Sequence, residues 1–217
     1  MTREEVLCRY RHLRAISTRH HSAALKFLVR PTIMEHAQRL GLTKGKVLVA
    51  ESEEELTLVF DLAIHTAREG RARAIDRFAQ TAQQFIQGSD EALMLEAMRR
   101  GRFSIWQVRE RHETVGLVVT DMLRKVEAWL VDESLEATAP DGTAFACRLC
   151  NPESFAMTSG VVVPLDRDLL DEISADFLDL LASHHTQATR LADHPHFATA
   201  IYRAAIDQGV MADVVFE

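Results

Sequence analysis

Over the first hundred positions, apolar residues recur every three or four, the spacing that lays one buried stripe along a helix. Thr2-x-x-Glu5 has the capping-box pattern, and Val6, Tyr10, Leu13 and Ile16 follow on one face, which predicts a first helix. Leu25, Leu28 and Val29 predict a second over 22–30. Pro31 interrupts it, because proline disfavours helical geometry in the residue before it. Thr32-x-x-Glu35 restarts a short helix through Met34, Ala37 and Leu40, with Gly41 as its stop, and 46–50 reads as a short buried strand or an extended connector. Ser52-x-x-Glu55 opens the clearest helix, with Leu56, Val59, Phe60, Ala63, Ile64 and Ala67 as its stripe and Gly70 as its end. A helix over 72–87 and one from Ser89-Asp90 to Arg99-Arg100-Gly101 follow. These three consecutive helices, joined by short turns, should fold back on one another as a bundle.

From Phe103 the period changes from helix to strand. Short apolar runs predict strands at 103–110, 115–120, 126–132, 143–150 and 155–163, separated by turns such as Ala139-Pro140-Asp141-Gly142 and Asn151-Pro152. Sequential strands of this length favour a strongly bent antiparallel sheet or a small barrel of SH3-like or OB-like size, between which the composition does not choose. Helical spacing returns over 166–181, and a last helix runs from Asp193 to Gly209. The fold class is therefore α+β: a helical region over 1–101, a β module over 102–165, and C-terminal helices over 166–217 that pack back, an arrangement compatible with one compact unit.

Composition adds location and charge. The 217 residues are 47% hydrophobic and 26% charged, as in an ordinary globular protein. No apolar run approaches the length of a membrane span, and Met1–Glu5 leads into no secretory h-region, so the expected location is the cytoplasm, with no membrane partner. There, Cys8, Cys147 and Cys150 are expected as reduced thiols. The net charge of −7 hides an asymmetry: residues 1–50 hold ten Lys and Arg against three Glu, a segment of +7 beside a remainder of −14. Two readings follow. Either the basic helices dock against acidic parts of the same chain or of another subunit, or Arg3, Arg9, Arg14, Arg19, Lys26 and Arg30 line up as a surface for a nucleic acid or protein partner. Trp106 and Trp129 would be core anchors in the first case and base-stacking platforms in the second.

Candidate chemistry is sparse. Cys147-Arg148-Leu149-Cys150 has the spacing of half a zinc site, but the other half is missing and strand positions three apart face opposite ways. Buried structural thiols are the simpler reading. His184, His185, Asp193, His194 and His196 form the one cluster of suitable ligands for a transition metal, although none is paired at i, i+4. Asp193 also suits the N-cap of the last helix, and His20-His21 read as part of the basic arm's surface. No phosphate loop, nucleophile elbow or paired-carboxylate motif occurs, so no catalytic residue and no cofactor is assigned.

The Ser89-Asp90-Glu91 helix start, the Gly116–Asp121 strand, Leu130-Val131-Asp132, Gly142–Leu149 and the Ser159-Gly160…Pro164 ending together resemble an uncharacterised bacterial protein family over residues 88–164. Some members of that group resemble proteins with a SEC-C-type metal-binding tail. This chain closes on Val215-Phe216-Glu217 without one, so the resemblance implies the β module and no metal role. The functional expectation is a non-enzymatic binding or adaptor protein, possessing a protein or nucleic-acid partner. The alternatives are a metal-dependent enzyme built on the C-terminal histidines and a homo-oligomer joined through 167–181.

Overall fold

The computed structural model describes residues 1–67, 70–82, 85–166, 169, 194 and 196–210. Among them are seven helices: α1 (Arg3–Leu25), α2 (Arg30–Arg39), α3 (Glu53–His65), α4 (Ala74–Thr81), α5 (Asp90–Arg100), α6 (Glu133–Thr138) and α7 (Phe197–Asp207). The strands are β1 (Thr43–Lys44), β2 (Val47–Leu48), β3 (Arg102–Arg111), β4 (Leu117–Asp121), β5 (Glu127–Leu130), β6 (Ala144–Cys150) and β7 (Met157–Leu165). The architecture is α+β, as the change of period implies. Of the expected helix over 166–181 only Asp166 and Leu169 are described, the Leu169 N–H donating to the Asp166 carboxylate at 2.8 Å.

Several element boundaries differ from expectation for identifiable reasons. The second expected helix, 22–30, is not an element of its own: its first residues end α1, whose buried stripe continues past Ile16 through Ser17, His20 and Ala24, and 26–29 lead into α2. The polar members of that stripe hid the continuation, because a stripe is read from apolar residues. Pro31 begins a helix instead of interrupting one. It lies in the first turn of α2, where a missing backbone N–H costs nothing, and Val29, not Thr32, is the N-cap. α3 starts as expected, with the Ser52 hydroxyl accepting the Glu55 N–H at 3.2 Å, but stops at Thr66, ahead of Gly70. α4 covers only the middle of the expected 72–87. Residues 46–50 contribute β2 to a two-stranded antiparallel hairpin with β1. The short α6, capped by the Asp132 carboxylate on the Leu135 N–H, buries none of its residues, and so has no apolar period to betray it.

The main sheet has the order β5-β4-β3-β6-β7 and is antiparallel throughout. It curls far enough that its edges touch at one corner: the Val131 N–H donates to the Ala156 carbonyl at 2.9 Å and the Ala156 N–H to the Trp129 carbonyl at 2.7 Å. One bridge does not close a ladder. The SH3-like or OB-like barrel gives way to an open, curled sheet, because β5 has only four residues with which to pair. Gly116 allows the tight approach of β4 to β5. Its φ is +80°, and a Cβ there would collide with the Leu130 carbonyl.

Both faces of the sheet are covered. Phe103, Ile105, Ala144, Ala146, Val161, Val163 and Leu165 face α2, α3 and α7 and join Leu58, Leu62, Ile201 and Tyr202 in one apolar cluster. On the opposite face Trp106, Val108, Leu117, Val119, Leu130, Phe145 and Cys147 cluster among themselves under Ala139 and Leu135. α1, α4 and α5 form a third cluster that takes in Val115, Val131, Phe155 and Met157 from the sheet's end. α7 therefore packs back on the helical layer and the sheet together. No described helix is long and apolar enough to cross a membrane.

Candidate functional site

Alternation in β6 puts Arg148 on the same side as Ala144 and Ala146, so a guanidinium points into the interface between sheet and helices. Opposite it in the β3–β6 register is Phe103, whose ring centroid lies 5.8 Å from the Arg148 Cζ. The last turns of α3 supply Asp61 and His65, four apart and so on one face, and α7 supplies Tyr202. The Tyr202 hydroxyl donates to Asp61 Oδ2 at 2.9 Å, and Arg148 Nη2 donates to the same oxygen at 3.3 Å. His65 Nε2 stands 3.9 Å from Asp61 Oδ1, and the His21 ring of α1 meets His65 edge-on at 5.8 Å between centroids. Asp61, His65, Arg148 and Tyr202 are all buried.

This network is incompletely satisfied. Neither ring nitrogen of His65 has a hydrogen-bond partner among the described residues, nor has Arg148 Nε. Buried polar atoms are nearly always paired, so each exception is a group whose further partner has to be sought. Burial, reinforced by the charge of Arg148, holds the His65 pKa well below 6.5 and leaves the ring neutral. Burial likewise lowers His21 to about 4 and drives the Tyr202 hydroxyl well above its usual range. For Arg148 burial opposes the charge, but Asp61 outweighs it and the guanidinium stays protonated.

Above the network is a cavity of about 380 Å³. Arg71, Arg73, Arg102, Arg124 and Arg148 line it together with His65 and His194, and none of its described lining residues is acidic. Three of the five guanidiniums carry a carboxylate: Arg148 has Asp61, Arg73 has Asp76 at 2.6 Å, and Arg124 has Asp121 at 3.0 Å. Arg71 and Arg102 are exposed and form no ion pair with a described residue. Gly101 keeps the wall thin, since a Cβ there would press on the Arg148 stem at 3.3 Å and on Cys150 Sγ at 3.0 Å. A second cavity of about 910 Å³ adjoins the first, sharing Thr66, Ala67 and Arg71 as wall and extending between α2 and α4 to His196.

The basic arm is largely engaged by acids of the body. Arg3 pairs with Glu136 at 2.8 Å, Arg9 with Asp90 and Glu153 at 2.6 Å each, and Arg19 stands 4.0 Å from Glu91. Arg14 donates to the Thr158 carbonyl at 2.6 Å and to the buried Asp132 at 3.0 Å. Lys26 and Arg30 are exposed. His20 and His21 are not surface residues of that arm: His20 is buried between Phe78 and Phe85 with a ring nitrogen 2.8 Å from the Glu91 carbonyl oxygen, and His21 turns inward to His65.

His184, His185 and Asp193 lie outside the described residues. His194 and His196 have ring centroids 5.4 Å apart, and no group of three or more metal-ligating side chains occurs among the described residues. Cys147 and Cys150 are buried on opposite faces of β6, in separate clusters, and burial raises both thiols, Cys150 to about 12. Trp106 is buried, its indole N–H donating to the Cys147 carbonyl. Trp129 is half-buried and lies parallel to His112 at 4.1 Å.

The arginine-lined cavity was not read from the sequence. Its residues come from the 66–73 loop, the starts of β3 and α7, the β4–β5 turn and β6, and only their side-chain type offered a signal. No curated protein and no solved structure matches the chain. A model of a family of unknown function, DUF7986, matches residues 4–199, well beyond the 88–164 stretch whose motifs suggest an uncharacterised family, and the chain belongs to that family.

Proposed function

We propose that the protein is a binding protein for a small anionic ligand, held in the arginine-lined cavity between the end of α3, β3, β6 and α7. One observation carries the reading: five guanidiniums converge on a single cavity whose floor is a buried arginine and a buried histidine with unpartnered nitrogens. Gathering like charges in one place is unfavourable without counter-charge, and among the described residues carboxylates face only three of the five, one of them, Asp76, being shared with Arg99. An anion would relieve the remaining repulsion and accept hydrogen bonds from Arg148 Nε and, in the fitting tautomer, from His65. Charge-assisted bonds of this kind are the strong ones. The basic arm's arginines, already facing Glu136, Asp90, Glu153 and Asp132, are assigned to docking α1 on the body, not to a nucleic-acid or protein partner.

Isothermal titration of the full chain with inorganic phosphate and with sulfate tests this at low ionic strength. Binding should be saturable, and Arg71→Ala with Arg102→Ala should weaken it by about tenfold or more, the loss of two charge-assisted contacts. The melting temperature without ligand should hold steady, because neither arginine is buried or paired. Absence of saturable heat with either anion would overturn the proposal.

A further inference from the structure

Resting on the anion-binding reading above, we infer that the ligand is a phosphate monoester whose hydroxylated body, of sugar or polyol type, lies in the larger adjoining cavity. The first strand is charge. Among the described residues, Arg71 and Arg102 are the two guanidiniums of the small cavity that face no carboxylate, beside those paired with Asp61, Asp76 and Asp121. A phosphate monoester carries between about −1.5 and −2 at neutral pH, whereas a carboxylate or a phosphodiester carries −1 and would leave one guanidinium unmatched. Guanidiniums arrayed on several sides also suit the three terminal oxygens of a monoester, each able to accept more than one N–H.

The second strand is the neighbouring wall. A monoester has a single ester oxygen, so its organic part must leave the arginine cavity in one direction. The shared wall of Thr66, Ala67 and Arg71 opens that direction into about 910 Å³. Its described lining includes Thr32 and Arg77, whose buried Nε has no partner among the described residues, together with the small apolar Ala63 and Ala74. The described lining of that cavity holds the imidazoles of His36 and His196 and the Glu35 carboxylate, and no Phe, Tyr or Trp. Single-stranded or free nucleobases are held mainly by stacking on such rings. Scattered donors over small apolar residues suit hydroxyl groups better.

Titration calorimetry with a panel of probes separates the two levels. The panel is inorganic phosphate, glycerol 3-phosphate, ribose 5-phosphate, glucose 6-phosphate and adenosine 5′-monophosphate. At least one of the three polyol or sugar phosphates should bind about tenfold or more tighter than inorganic phosphate, and adenosine monophosphate should show no gain over the best of them. Ala72→Trp, placed at an exposed position lining only the larger cavity, should erase that gain and leave inorganic phosphate affinity and the melting temperature unchanged. If inorganic phosphate binds and none of the sugar or polyol phosphates binds tighter, or if the adenine nucleotide binds tightest, the monoester-body inference falls and the anion reading stands. A gain that survives Ala72→Trp also overturns it. If no probe binds, both fall.

Discussion

Replacing His65 by methionine separates a structural from a functional histidine. Its ring is buried at 4% exposure with neither nitrogen hydrogen-bonded among the described residues, and such an orphaned polar group costs about 1–3 kcal/mol. Methionine has nearly the same volume, adapts to irregular space and is the better helix former by a few tenths of a kcal/mol. The neutral ring has no ionic bond to lose at its 3.9 Å separation from Asp61. At pH 7.5, His65→Met should therefore raise the stability by about 1–2 kcal/mol, or roughly 3–7 °C for a chain of this size. The gap should widen on acidification. Burial holds the folded pKa of His65 well below 6.5, so the unfolded chain takes up the proton first as pH falls through 6.5, and the wild type loses stability that the variant keeps. His21, lowered to about 4, adds a similar slope to both proteins, and the difference between them isolates His65. Urea unfolding followed by circular dichroism at pH 7.5 and 5.5 measures both effects, and phosphate affinity, measured in parallel, should drop. A variant less stable than the wild type at pH 7.5, or a gap that narrows at pH 5.5, would refute the reasoning.

Two further substitutions test how the layers are joined. Arg14→Ala removes the guanidinium that faces buried Asp132 and the Thr158 carbonyl, and stranding that carboxylate should cost about 3 kcal/mol, whereas Arg3→Ala breaks an exposed pair with Glu136 and should cost less than about 1 kcal/mol by the same denaturation assay. Gly116→Ala forces a Cβ onto the Leu130 carbonyl at a left-handed φ and should lower stability by more than about 2 kcal/mol; a melting temperature within 2–3 °C of the wild type, roughly 1 kcal/mol, would mean that β4 and β5 are not held that closely.

What was legible in the sequence tracks what is local. Ser52, Ser89 and the Thr2–Glu5 box cap the helices they announce, because a cap needs only residues three apart. The alternation of Leu117 and Val119 with Val118 and Thr120 is likewise a property of one strand, β4, although Val115 precedes it and packs in another cluster. The apolar pattern misled where a buried face was built from polar residues: Ser17 and His20 continue the stripe of α1 with no apolar member to show it. The sequence also misled where a residue has two structural uses. Pro31 ends helices in general, but in a first turn it starts one. Between the bent antiparallel sheet and the small barrel that the strands allow, the sheet forms for a reason no pattern carries, the short reach of β5 toward the far edge.

The same contrast explains why the site was invisible while the basic arm was not. Ten cations in the first fifty residues stand out in any count, but a density of charge along the chain says nothing about what faces it, and carboxylates more than seventy positions away face most of α1's arginines. The network under the cavity joins Asp61 to Arg148 across 87 positions and to Tyr202 across 141, and each of the three is an unremarkable member of its own element. Inside a strand of small apolar residues, Arg148 reads as an outward position. It is inward because α3 and α7 both bury a polar partner at the same level of the sheet. Buried ion pairs rarely stabilise a fold more than an apolar replacement would. A triad that costs stability, with spare nitrogens facing a cationic cavity, is therefore better explained by what the cavity holds than by the packing around it.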